Sequence, residues 1–243
     1  MAEPARQIDV IDARPVFTQG DADALNARFE GVDTLTMLKT VFAEGLAGNV
    51  GVVSSFGTES AVLLDLVAKA DKAIPVIFVD TQKMFAETLN YRDTLVARLG
   101  FTNGSVVAPD AAVLAKKDET GLRWSYDPDG CCEIRKVEPM KRAKASLDAW
   151  ISGRKAFQSV TRQNLPRFEV EDGRLKINPL GDWTKTDLEA YSRPNNCRVT
   201  RWRHRAICRS AANPARPRFC RVKTRAPVAG AVGTRWNAVS IRR

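Results

Sequence analysis

NVGVVSSFGTESAVLLDLVAKA, residues 49–70, reads as a strand, a loop and a helix in succession. Asn49–Ser54 is a short apolar run bounded by polar residues, the pattern of a buried strand. Thr58 or Glu59 then opens a helix that runs to Ala70. The same order follows downstream. Pro75–Val79 is a second strand ending at Asp80–Thr81, and a helix extends from about Ala86 to Leu99. Strands that alternate with helices imply βαβ units, so the expected class is α/β, a parallel sheet flanked by helices. Upstream, an irregular start and a helix occupy roughly the first thirty residues. Thr34–Ala47 has helical apolar spacing at Leu35, Leu38, Val41, Phe42 and Leu46. Downstream, Val106–Val107 starts a third strand, and Glu133–Ala145 is a helix entered from the turn Asp127–Gly130. Trp150–Ser152 reads as a strand and Phe168–Ile177 as a hairpin around Glu171-Asp-Gly173. Lys185–Tyr191 reads as a helix capped by Asp182 or Thr184.

The 243 residues suffice for one α/β domain with a small appendage. The net charge of +10 is unevenly placed. Residues 197–243 hold 13 Lys+Arg and no Asp or Glu, leaving 25 basic against 28 acidic residues in the body. A basic chain invites a nucleic-acid partner. Here the excess sits in a stretch with no 3.6 or 2 periodicity to present it, so no nucleic acid is expected. No run is long enough to span a membrane. The opening MAEPARQIDVIDARPV lacks the basic-then-apolar order of a signal peptide, so the expected location is the cytoplasm. The only histidine, His204, lies in the basic stretch, so the body has no Ser–His or Cys–His couple. Cys131 and Cys132 are adjacent, while Cys197, Cys208 and Cys220 are scattered. That odd count does not resemble a disulfide framework.

Four stretches carry chemistry. Ser54-Ser-Phe-Gly-Thr-Glu-Ser60 brings hydroxyls, a glycine and a helix N-terminus together, an arrangement suited to phosphate or sulfate. It is not a Walker loop, because no Gly-Lys-Ser/Thr follows. Asp80-Thr-Gln-Lys-Met-Phe-Ala-Glu-Thr88 stands at the carboxyl end of the next strand, where open α/β sheets bind ligands. Cys131-Cys-Glu-Ile-Arg-Lys-Val-Glu-Pro139 sets two thiols beside Arg135 and Lys136. Trp150–Arg162, WISGRKAFQSVTR, offers Arg154 and Arg162 for forked hydrogen bonds to anions.

These stretches resemble, in order, the SFGxES, DTGxxFxET, CCxxRKVxPL and WxxGxRxxQSxTR segments of the iron–sulfur adenylyl-sulfate (APS) and phosphoadenylyl-sulfate (PAPS) reductase family. Asn178–Thr184 resembles its NPLxDWT stretch. The resemblance runs from about residue 49 to 196, with Gln82 in place of a glycine. It implies an adenine nucleotide α-hydrolase-like (PP-loop) fold. It implies a substrate site built from Ser54, Ser55, Phe56, Gly57, Thr58, Glu59, Ser60, Asp80, Thr81, Arg135, Lys136, Arg154, Gln158 and Arg162. Cys131 and Cys132 would be two of the four ligands of a [4Fe–4S] cluster. The implied reaction is thioredoxin-dependent reduction of APS to sulfite and AMP: a C-terminal cysteine attacks the sulfur, AMP leaves, and thioredoxin releases sulfite from the S-sulfonate. PAPS is the alternative substrate, the Cys-Cys motif favouring APS, and an ATP-dependent PP-loop adenylyl-transfer enzyme is the alternative class. Homo-oligomerisation is left open.

The family pattern also implies a second cysteine pair in GCxPCT and a nucleophile in ECGIH, and neither occurs here, so no intact catalytic residue is assigned. The genetic code accounts for the gap. If one base is lost after Asn196, Ser210–Arg216 permits Gly-Cys-Glu-Pro-Cys-Thr, and Trp236–Ser240 permits Glu-Cys-Gly-Ile-His, with Glu fixed by the single Trp codon. The expected organisation is therefore a sulfonucleotide reductase domain over 1–196 and an unpacked, out-of-phase basic tail over 197–243.

Overall fold

The computed structural model describes residues 16–57, 59–158, 165–195, 197 and 237–238. Seven strands form one sheet: β1 (Val50–Ser54), β2 (Val76–Val79), β3 (Gly104–Val107), β4 (Ala149–Ile151), β5 (Phe168–Glu171), β6 (Arg174–Ile177) and β7 (Asn237–Ala238). Their order is β5-β6-β4-β1-β2-β3-β7, and every neighbouring pair is parallel except the β5–β6 hairpin. The hairpin turns through Asp172 and Gly173, both at positive φ (55 and 70°), the backbone a tight two-residue connection demands.

The helices are α1 (Gln19–Arg28), α2 (Thr34–Ala43), α3 (Ser60–Ala70), α4 (Ala86–Leu99), α5 (Ala111–Lys117), α6 (Pro128–Cys132), α7 (Glu138–Lys144) and α8 (Lys185–Ser192). Residues Glu133–Val137 form a π-turn between α6 and α7, so the expected helix over 133–145 begins earlier and carries a wide turn within it. Gly100, at φ 72°, stops α4 in the left-handed conformation. Thr184, rather than Asp182, caps α8 in a reciprocal box with Asp187.

The larger core lies on the face covered by α2, α3 and α4. There α3 is buried from Ala61 to Ala68, and it packs against α2, α4 and α8. On the other face Ile77, Val107 and Trp150 meet Ala143 and Leu147 from α7 and its exit. All four residues of β2 are buried, as a central parallel strand with both faces covered requires.

Two findings correct the expected tail. Cys197 is buried in the core, its amide donating to the Ser192 carbonyl at 3.1 Å. Asn237–Ala238 pairs in parallel with Ser105–Val106 and extends the sheet beyond β3. The other residues of 198–243 lie outside the described residues.

The one acidic side chain buried in α3, Asp65, accepts from the Tyr191 hydroxyl (2.8 Å) and the Lys69 ammonium (2.8 Å), which ties α8 to α3. Burial, reinforced by that carboxylate, pushes the Tyr191 phenol up to about 12. Tyr191→Phe should lower unfolding free energy by about 1–2 kcal/mol in a urea titration, because Asp65 keeps Lys69 but loses a neutral donor.

Candidate functional site

Parallel strands deliver their exits to one edge. The segments after β1, β2 and β4 therefore share the carboxyl edge of the sheet. The β1 exit is the Ser54–Ser60 loop. Phe56 adopts φ 50° and is only 2% exposed, its ring edge-on to Phe78 with centroids 5.6 Å apart. The Phe56 ring thus anchors the loop to the core. Its amide donates to Ser54 Oγ at 3.1 Å, and Ser60 Oγ donates to the Gly57 carbonyl at 2.6 Å. Ser55 and Gly57 are exposed, and Thr58 lies outside the described residues. Glu59 precedes α3 without a side-chain bond to the helix end. A helix N-terminus of that kind favours an anion.

The β2 exit folds on itself. Asp80 Oδ1 accepts from the Gln82 amide at 2.8 Å, and Thr81 Oγ1 accepts from the Lys83 amide at 3.3 Å. Gln82 has φ 57°, a backbone suited to the glycine it replaces. The carboxyl group of Asp80 therefore shapes this turn, and α4 starts later, behind Phe85.

Arg135 is buried. Its Nε and Nη2 donate to Asp118 Oδ2 at 2.9 and 2.6 Å, and its Nη1 donates to the Thr81 carbonyl at 3.0 Å. Burial raises the Asp118 carboxyl, but the Arg123 amide and the Arg135 guanidinium outweigh it and hold it below the ordinary value. All three of these hydrogen bonds lie within the protein and tie the cysteine-bearing turn to the β2 exit. Lys136, next in the π-turn, is exposed.

The β4 exit carries two adjacent cations with opposite fates. Arg154 is exposed. Lys155 is 3% exposed, and its Nζ lies 3.1 Å from the Gly153 carbonyl and 3.3 Å from Glu59 Oε2. This contact joins the β4 exit to the β1 exit. Burial pulls the Lys155 ammonium below its ordinary value, against the opposing pull of Glu59. Sequence reasoning points to Arg154 and misses Lys155, although the basic position of WxxGxR, two residues after the glycine, falls on Lys155. The side chain of Gln158 and all of Arg162 lie outside the described residues.

Cys131 is buried and Cys132 half-buried, both as free thiols near the start of the helix that Asp127 caps. Burial pushes the Cys131 thiol up, with Arg135 and Lys83 acting the other way. A [4Fe–4S] cluster takes four thiolates. Among the described residues no group of three or more Cys, His, Asp or Glu could hold a metal ion. Cys197 feels Asp65, Arg98 and Lys69, a different neighbourhood from that of Cys131. The described donors therefore do not fit a four-thiolate cluster, and Cys208 and Cys220 lie outside the described residues.

The model of the phosphoadenosine phosphosulfate reductase domain family matches residues 49–207. The chain is similar to an adenosine 5'-phosphosulfate reductase of Mesorhizobium japonicum, 44% identical over 193 residues, with 76% of each chain covered. It is 48% identical over 151 residues to the enzyme of that name from Chelativorans sp., with 62% of each covered. A phosphoadenylyl-sulfate reductase from Candida auris, solved as a phosphate complex, has a TM-score of 0.62 and 28% identity over 74% of this chain and 88% of that one.

Gln82→Gly should raise unfolding free energy by about 1 kcal/mol in chemical denaturation, since a left-handed backbone costs a side chain about that much. The Asp80 hydrogen bond, made to the amide, is retained.

Proposed function

The chain belongs to the phosphoadenosine phosphosulfate reductase domain family, and from that premise we propose that its carboxyl-edge site binds adenosine 5'-phosphosulfate. The family reaction is thioredoxin-dependent reduction of that phosphoric–sulfuric anhydride to sulfite and AMP in assimilatory sulfate reduction. The observation that carries the site is Lys155. A buried ammonium, paired with a Glu59 side chain that is itself 34% exposed, stands between the β1 and β4 exits. It attracts an anion placed at the N-terminus of α3. The Ser54–Ser60 hydroxyls and amides orient that anion, Arg154 adds charge at the rim, and Arg135 fixes the β2 exit from behind. The adjacent cysteines and the APS reductases at 44% and 48% identity favour APS over its 3'-phosphorylated analogue. A relative named phosphoadenosine 5'-phosphosulfate reductase, from Alkalilimnicola ehrlichii, is 32% identical.

The chain as written binds without turnover, because its 243 residues contain no Glu-Cys-Gly-Ile-His. With the terminal thiol restored, thioredoxin would be the reductant that frees sulfite from it.

Calorimetric titration with APS tests the site. Saturable binding is expected, and Lys155→Met should weaken it about tenfold or more. The same variant should keep or raise thermal stability at pH 7. A lysine whose folded value is depressed leaves the unfolded chain binding more protons, so its cost is present at neutral pH and fades as pH rises toward 10.5. No APS binding by the unsubstituted chain would sink the proposal.

Inserting one base after codon 196 should bring back thioredoxin-dependent sulfite release, absent from the chain as written. Sulfite release from the unaltered chain would overturn the shifted-tail reading.

A further inference from the structure

Asn178-Pro-Leu-Gly-Asp182 follows β6 and contributes no group to the site described above. Asn178 is nonetheless fully buried, and its amide is fully engaged. Its Oδ1 accepts from Ser152 Oγ at 2.5 Å. Its Nδ2 donates to the Pro166 carbonyl at 3.0 Å and to Glu169 Oε1 at 2.9 Å. Its backbone amide donates to the Arg167 carbonyl at 2.7 Å. Ser152 opens the segment that leaves β4, and Pro166 precedes its return into β5. One side chain therefore grips both ends of that excursion.

Three residues on, the Gly181 carbonyl accepts from the Ala156 amide at 3.0 Å, immediately after Lys155. Gly181 has no room for a side chain: a Cβ there would stand 2.9 Å from the Leu165 carbonyl and 3.2 Å from that of Asn178. Asp182 holds Arg167 at 2.7 Å, which pins the same return point from outside. A buried, fully satisfied polar network of this kind specifies one geometry. What it specifies here is the path of Ser152–Ala156, and hence the place of Lys155 opposite Glu59.

We propose that the Asn178–Gly181 turn is the positioning element of the anion site, with Asn178 and Ser152 acting on the bound sulfonucleotide through Lys155. The proposal rests on the reading of the site as an APS site. Glu169 belongs to the same arrangement: burial raises its carboxyl, but Lys176 at 2.8 Å and Asn178 outweigh burial and keep it below the ordinary value, an acceptor for the Asn178 amide. A purely structural turn would lower stability and weaken every ligand alike. A positioning turn weakens the ligand that carries the anion and spares the part that does not.

The test uses the full chain with Ser152→Ala, Ser152→Thr and Gly181→Ala, titrated with APS and with adenosine. Ser152→Ala should weaken APS about fivefold, the size of one lost hydrogen bond, with adenosine changed by less than about twofold. Ser152→Thr keeps the hydroxyl and should restore APS affinity to within about twofold of the unsubstituted chain. Gly181→Ala, which displaces the Leu165 carbonyl, should reproduce the selective loss and decides the matter if Ser152→Ala does not fold. APS binding that both variants leave unchanged, or equal losses for APS and adenosine, would overturn the positioning role while leaving the site intact. Failure of the unsubstituted chain to bind APS would overturn the site reading and this inference with it.

Discussion

The guanidinium of Arg135 joins three segments that share no other described hydrogen bond. Asp118, in the loop after α5, takes two of its nitrogens, and the Thr81 carbonyl at the end of β2 takes the third. The arginine itself comes from the π-turn that follows Cys131 and Cys132. Asp118 in turn accepts from the Arg123 amide at 2.9 Å, which fixes the approach to the cysteine-bearing helix. Both members of the pair are buried, and removing one partner of such a pair costs about 3–5 kcal/mol because the other charge is left without an answer. The cysteine pair, the β2 exit and the carboxyl edge therefore hold their mutual positions through one ion pair.

Backbone strain gathers at the same edge. Two of the three described non-glycine residues at positive φ are Phe56 and Gln82, one in each of the exits from β1 and β2. Such conformations cost about 1–3 kcal/mol each and persist where the surroundings over-determine them. Phe56 is over-determined by its ring against Phe78, and Gln82 by the Asp80 carboxylate. Lys155 adds an electrostatic cost of the same character. The edge is built from groups that a stability-optimised protein would replace.

Much of this was legible in the sequence, for reasons that differ by element. β2 and α4 were readable because a strand buried on both faces is a continuous apolar run, and because Gly100 ends the helix. The hairpin was readable from Asp172-Gly173. α5 was missed although Asp110 caps it and AAVLAKK favours a helix, because seven residues are about two turns, too few to show a 3.6-residue period. The residues named for β3 proved to be its end rather than its start, since Gly104 and Ser105 have no strand signature. In the site, the loops were legible but side-chain direction was not. Phe56 sits in an otherwise polar loop yet points inward, and of two neighbouring cations only the fold shows that Lys155 is buried while Arg154 stays at the surface. The π-turn has no sequence signature in this chain; its residues are ordinary helix formers.

The pairing of β7 with β3 has a consequence for what the margin of a sheet can accept. The edge of β3 offers a row of amides and carbonyls, and what it accepts is extended backbone, whose hydrogen-bonding groups are the same in almost every residue. Core positions read side-chain shape, and a change of letters there is felt at once. A sheet margin is nearly illiterate by comparison. Asn237 and Ala238, from a stretch without family motifs, can therefore occupy a rung of the ladder. The margin of the sheet is thus extended by main-chain hydrogen bonding alone, whatever side chains the added strand carries.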